Sequence, residues 1–296
     1  MKSKFGSKRK EGLLFTLPAL IYMLALIGYS LIYNIILSFK NMNVRTFKGG
    51  NSVFVGLDNY IELFKDPVFL MVLKNTFIFT IACLAIQFTF GLIFALLFSK
   101  KFPLSGVIRG LLLVSYMLPM SVSGLLWRNM YGLDGVFNTI LMSLGIIRQP
   151  IEWIVSTKTA LLSLIITNSW IGIPFNMLLM TTGLTNISKD VYEAAEVDGA
   201  TKWKKFRYIT APLLKPAALS SVMLVFIYTF RAFDLMFIMT GGGPLHSTDV
   251  LGTLSYSYSF TQYKFSLGAA TAVVLFAILF VVGLIYLHLT TKEEAS

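Results

Sequence analysis

The chain has 296 residues, 56% of them hydrophobic and only 13% charged, with a mean hydropathy of +0.74 and a net charge of +11. Soluble domains carry about 25% charged residues, so roughly half the expected charge is missing and an ordinary soluble domain is excluded. No basic soluble face is available for nucleic acid, and the positive balance reads instead as a signal of membrane topology.

The gaps between charges outline the elements. No charged residue falls between Glu11 and Lys40, Lys74 and Lys100, Arg109 and Arg128, Lys158 and Lys189, or Lys264 and Lys292. A further apolar run follows Lys215 and is interrupted only by Arg231 and Asp234. A bilayer core is crossed by about 20 apolar residues in helical form, because every backbone N–H and C=O must be paired within the segment. The expectation is an all-α polytopic membrane protein with six spans, at about 13–37, 75–99, 107–129, 159–184, 214–238 and 266–290. A short cytoplasmic tail, 1–12, precedes this 13–290 membrane domain, and another, 291–296, follows it.

The first apolar run is longer than the ~7–15 residues of a signal-peptide core and is expected to be a retained helix. In the second span, Cys83 is the single cysteine, which permits no intramolecular disulfide and suits a small packing role. The third span is short and has an arginine at each end. The fourth contains TNSWIGIPFNMLL, in which Asn168 and Asn176 are polar and Pro174 removes a backbone donor, so a kink is expected.

Between the fourth and fifth spans lies EAAEVDGATKWKKFRYITAPLLKP, residues 193–216. It reads as helix, turn, helix within a loop at 185–213. Ser188 can cap the first helix and Thr201 the second; Gly199, after Asp198, supplies the left-handed turn. Val191, Ala194, Ala195 and Val197 give the first helix a small apolar side. Trp203, Phe206 and Ile209 form a stripe on the second, with Lys202, Lys204, Lys205 and Arg207 around it. One reading is a surface helix on anionic lipid; the other is a knob that inserts into a groove of another protein.

The fifth span holds FIYTFRAFDLMF, with Arg231 and Asp234 three residues apart and so able to pair on one helix face. A charge inside a span costs about 2.5–3.5 kcal/mol on insertion scales. The pair is either a structural ion pair or part of a solute path. TGGGP, residues 240–244, reads as a turn leaving a helix. Fifteen of the 25 Lys and Arg residues fall on the side of the N-terminus and the 185–213 loop, and nine on the other. By the positive-inside rule both termini and that loop are cytoplasmic.

No G-x-x-x-x-G-K-[ST] phosphate loop, H-E-x-x-H or G-x-S-x-G elbow is present, and His246 and His288 are solitary. The expectation is a protein that is no enzyme, holds no metal and binds no cofactor of its own. A secondary transporter would need a relay of membrane carboxylates, and Asp234 alone is available.

The pattern Glu193-Ala194-Ala195, Gly199, Ile209, Pro212 resembles the EAA motif of permease subunits in bacterial ABC importers. Its fuller form, with Asp198, Gly199 and Ala200 as DGA, is similar to the carbohydrate-uptake, MalF/UgpA-like branch. Ala211 stands where that branch usually has Leu. The resemblance runs over about 55–288, through GLDNYIELFKDPVFLMVLKNTF, LPMSVSGLLWRNMYGLDGVFNTIL and TGGGPLHSTDVLGTLSYSYSF. It implies a type I importer permease of the plasma membrane, translocating a sugar or sugar derivative by alternating access; another polar solute, such as a glycerol phosphate, stays open. It implies that Glu193, Ala194, Ala195, Asp198, Gly199, Ala200, Ile209 and Pro212 contact a cytoplasmic ATPase, which uses the ATP and Mg. It further implies a path lined by Asn168, Ile171, Gly172, Phe175, Phe230, Arg231 and Asp234. The implied partners are a second, MalG-like permease, two ATPase copies and an extracellular solute-binding protein.

Overall fold

The computed structural model describes residues 15–49, 52–100 and 102–294. The expected N-terminal tail, 1–12, lies outside the described residues, as do the last two residues of the chain. Five described helices are long and apolar enough to cross a membrane, and six spans result when one sharply bent helix pair counts as one. The helices form two compact units.

The first unit comprises the described residues up to Lys65 together with Ser255–Val274. Helix α1, Phe15–Ser38, carries no charged residue, and its most hydrophobic window has no residue buried. At its end Ser38 is fully buried and shares a 2.6 Å hydrogen bond with the Tyr60 hydroxyl. Strands β1 (Lys40–Asn41) and β2 (Val53–Phe54) pair antiparallel, Lys40 opposite Phe54. They flank α2, Val44–Gly49. Asn59, in α3 (Asp58–Lys65), ties the end of α1 to β1 by donating to Ser38 O at 2.7 Å and Lys40 O at 2.9 Å.

The second unit comprises Asp66–Leu254 and the stretch from Leu275. Asp66 caps α4, Pro67–Phe98, by accepting from Val68 N at 2.8 Å, and Pro67 at the first helical position has no N–H to leave unpaired. Helix α8, Ala160–Thr185, packs along α4. Their approach needs Gly91: a Cβ there would lie 2.5 Å from Asn176 Cβ.

Where a single third span is expected over 107–129, two helices, α5 (Ser105–Met117) and α6 (Met120–Met130), meet at 99°. The cause is Pro119, which forces Leu118 to an extended ψ of 139°. Beyond α6, α7 (Val136–Ser143) carries Asn138. That buried amide donates to Gly132 O, Leu133 O and Ile151 O and accepts from Ile151 N and Trp153 Nε1, so it closes the outer segment on itself. Cys83 packs as a small apolar group with Phe79, Leu164 and Ile165.

Pro174 interrupts α8 less than expected, and the helix continues through it. The proline removes the N–H that would bond Trp170 O; Ser115 Oγ donates to that carbonyl instead, at 3.2 Å.

The fifth span also differs from its expected limits. Helix α9, Lys189–Val197, is followed by one helical run, α10, Lys202–Phe230. It widens into a π turn at Phe206–Thr210 just before Pro212, with Ala211 N–H bonded to Phe206 O, and then continues through Pro216 as regular α-helix. It stops at Phe230, residues 231–233 are non-helical, and a new helix, α11, spans Asp234–Met239. The chain leaves α11 as the glycines suggest: Gly241, at φ 62°, donates to Met236 O at 2.9 Å. Helix α12, Leu251–Tyr256, and the long α13, Phe265–Glu294, complete the chain.

Candidate functional site

Two features of the second unit hold the candidate residues. The first is a cavity of about 570 Å³ between α4, the α5–α6 bend, α8 and the break after α10. Asn168, Ile171, Gly172 and Phe175 line it from α8, at the i, i+3, i+4, i+7 spacing of one helix face. Arg231 and Asp234 line it from the two sides of the α10–α11 break.

This placement corrects the expectation that those two charges share a helix face. Arg231 follows the last residue of α10 and Asp234 opens α11, both are exposed, and no ion pair joins them among the described residues. The guanidinium lies instead over the Tyr228 ring, 5.1 Å from its centroid. Tyr228 packs edge-on against Phe175 (6.2 Å), which stacks on Tyr116 (5.5 Å). One cation and three aromatic rings thus run along a wall.

A second correction concerns Phe230. It is fully buried and does not line the cavity; its ring packs against Phe77 at 5.3 Å and Phe226 at 5.2 Å. Helical phase explains this. Tyr228 and Arg231 are three residues apart and share a face, and Phe230 points elsewhere.

Beneath the cavity, amides connect three helices. Gln87 of α4 lines the cavity and donates to Asn168 O at 3.3 Å. Asn176 donates to Gln87 Oε1 at 3.4 Å and accepts from Ser221 Oγ at 2.6 Å. Asn176 is fully buried, so the two asparagines divide the roles: Asn168 faces the cavity and Asn176 joins helices. Gly172 makes room for Gln87, since a Cβ would fall 2.2 Å from its Oε1. Sequence reasoning missed Gln87, Tyr116 and Tyr228. Gln87 carried the same signal as Asn168, a polar side chain inside an apolar span; the two tyrosines are identified only by packing.

The second feature is the hairpin of α9 and the start of α10. Ser188 Oγ accepts from Asp190 N at 3.3 Å and Thr201 Oγ1 from Lys204 N at 3.4 Å, as capping residues should. Gly199 turns the chain at φ 74° with open space around it. Two further bonds make the hairpin one piece: Tyr192 OH with Thr210 Oγ1 at 3.0 Å, and Lys205 Nζ with Glu196 Oε1. The Lys205 hydrogen bond, then its charge, hold the Glu196 carboxyl below its ordinary range.

The alanine pair is split. Ala195 is buried, whereas Ala194 is exposed on a face shared with Val191 and the 90% exposed Val197. Glu193, Asp198 and Pro212 are exposed, and Ala200 and Ile209 are partly covered. The outward knob is therefore Val191, Ala194 and Val197, smaller in alanine content than expected.

A multi-span helical bundle with a polar and aromatic cavity among its spans, and a rigid charged hairpin beyond them, defines a membrane transport permease. The chain belongs to the family of binding-protein-dependent transport system inner membrane components, whose pattern matches residues 87–293. It is thus a multi-pass inner-membrane subunit of such a system. It is 33% identical over 287 residues to the lactose transport system permease protein LacF of Rhizobium radiobacter, covering 96% of this chain and 94% of that one. It is 32% identical over 287 residues to the sulfoquinovosyl glycerol transport system permease protein SmoG of Agrobacterium fabrum (97% and 92% covered). To the trehalose/maltose transport system permease protein MalF of Thermococcus litoralis it is 32% identical over 235 residues (79% of each). Its fold matches a chain of a bacterial ABC transporter that imports the acidic polysaccharide alginate, with a TM-score of 0.82 at 18% identity over 97% of this chain and 98% of that one.

Proposed function

We propose that this chain is the sugar-translocating permease subunit of an ATP-driven importer, and that it contains no ATPase site of its own. The observation that carries the reading is the cavity wall of Tyr116, Phe175 and Tyr228 with Asn168, Gln87, Arg231 and Asp234 beside it. A sugar offers an apolar ring face suited to the aromatics and hydroxyls suited to the amides and charges. The named functions of LacF and MalF support the same class.

In this reading the hairpin is the point where force enters. Glu193, Ala194, Ala195, Asp198, Gly199, Ala200, Ile209 and Pro212 form the contact region with a cytoplasmic ATPase that binds the ATP and Mg. A second, homologous permease, two ATPase copies and an extracellular solute-binding protein complete the assembly. Closure of the ATPases moves the hairpin, and α10 carries that movement to the cavity as a rigid body.

The test is uptake by the reconstituted complex with a panel of neutral sugars. Asn168→Ala should lower uptake about tenfold, the loss of one buried hydrogen bond or two to the solute, with ATPase subunits still bound. Unchanged uptake for every sugar, or uptake without any ATPase, would overturn the proposal.

A specific observation favours a second substrate class, a sugar derivative bearing an acidic group. Arg231 reaches the cavity without pairing to Asp234, and SmoG is named for sulfoquinovosyl glycerol. Arg231→Gln would then cut uptake of the acidic derivative at least tenfold and leave a neutral analogue nearly unaffected.

A further inference from the structure

A groove of about 590 Å³ lies between the first turns of α4, the start of α8 and the turn after α11, and it shares no lining residue with the cavity described above. The two helices run parallel and in register: Cys83 meets Ile165 O, Gln87 meets Asn168 O, and a Cβ on Gly91 would touch Asn176. Followed back, that register sets Asn75 level with Thr157 and Lys158. It also sets Lys74 level with Lys158, and each is the last charged residue before a long uncharged stretch, 75–99 and 159–188. Two neighbouring helices that lose their charge at one height mark the border of the hydrocarbon layer, because a charge within it is costly. No helix end enters this placement. The groove straddles the border. Asn75, Thr157, Lys158 and Ser247 line it at the charged level, and Asn75 is bonded to Ser247 O at 3.2 Å. Ile78, Leu161, Leu162 and Ile165 continue it inward, reaching about 10 Å below Lys158 at 1.5 Å per residue.

Two groups in the groove lack partners. Lys158 is exposed and makes no ion pair among the described residues. Ser247 Oγ is buried with no hydrogen-bond partner, and Asn75 cannot donate to it, since its amide N–H groups go to His246 O and Ser247 O. On the rim, Leu245 is 83% exposed and held outward at φ 50°. We propose that this groove binds one phospholipid of the outer leaflet, its phosphate on Lys158 and Ser247 Oγ and one acyl chain along Ile78, Leu161, Leu162 and Ile165. The ammonium supplies the counter-charge of a phosphate, and the serine hydroxyl donates to one of its oxygens. The acyl chain covers the aliphatic floor and the exposed Leu245. A helix of another protein could cover that floor, but it would have to bring an acid at the one level of Lys158. A phospholipid carries its charge there by construction. The site lies at the opposite end of α8 from the hairpin, and it depends neither on the solute nor on the force-entry reading above.

The experiment uses the full transport complex, purified in detergent and washed of loosely held lipid, with phosphatidylethanolamine as the probe. Native mass spectrometry should count one more bound phospholipid in the parent than in Leu162→Trp, which fills the groove. Lys158→Gln should hold that lipid about tenfold more weakly, the loss of one charge-assisted bond. Leu284→Trp, at a position on α13 as exposed as Leu162 (50% each), should keep it. A probe with a diazirine in its acyl chain should attach within residues 161–165 of the parent. An equal phospholipid count in the parent and both groove variants overturns the site, as does a photolabel that spares residues 78 and 161–165. A cysteine at Leu162 that cross-links to another subunit overturns it too, because protein then covers the groove.

Discussion

Asn168 and Asn176 sit on the same helix, yet exchanging either for Leu should have opposite consequences. Asn176 is fully buried between α4, α8 and α10. Its loss strands Gln87 Oε1 and Ser221 Oγ, at a cost of about 1–3 kcal/mol, read as a lower unfolding temperature in detergent. Asn168→Leu should leave that temperature nearly unchanged and reduce uptake. Phe230→Ala should cost about 3–5 kcal/mol of stability without altering which solute is preferred, because its ring faces Phe77 and Phe226. At this scale the sequence was a partial guide. Polarity within a span points to Asn168 and Arg231, whereas Ile171, Gly172 and Phe175 enter only through the family resemblance, and their shared face is visible only in the cavity lining. Phe230 belongs to the path only by the family resemblance, whereas its ring turns to Phe77 and Phe226, and no local signal announces that the helix ends there.

The hairpin is the element whose local rules were legible, since caps and left-handed turns depend on neighbours in sequence. A β-branched residue at Gly199 meets no steric neighbour but must adopt φ 74°, which costs on the order of 1–2 kcal/mol or more. Gly199→Val should therefore insert and assemble with little loss, and fail in ATP-dependent uptake. Glu196 adds an acid limit. Its carboxyl is held below the ordinary range by Lys205, so its contribution is present above that range and is lost as pH falls through the depressed value. The protection of the α9 amides, taken relative to their intrinsic base-catalysed exchange, should be flat near neutrality and fall only in acid; Glu196→Gln should remove that acid step. The burial of Ala195, by contrast, depends on how α9 lies against α10, which no count of residues along one helix reveals.

For the whole molecule, the long apolar runs made five spans readable, because a bilayer leaves few alternatives to an uninterrupted helix. The third was not readable as two helices: a proline in a span commonly bends it, and whether it breaks depends on partners for the freed carbonyls. In α8, Ser115 supplies one for Trp170 O; at Leu118 the chain turns extended instead. The orientation drawn from Lys and Arg predicts a simple result. With Cys83 buried, a cysteine at Val197 (90% exposed) should react with an impermeant maleimide only in inverted vesicles, and one at Leu245 (83% exposed) only in right-side-out ones.

Tyr116 and Met120 belong to different arms of the elbow at Leu118 and Pro119, and both line the cavity proposed as the solute's berth. Opening or closing that elbow changes the width of the berth. A guest that prefers one width must, by reciprocity, favour the matching bend. Cargo and joint are in this way thermodynamically tied, and crowding the berth with a bulkier guest should be felt as a change of angle in the polypeptide.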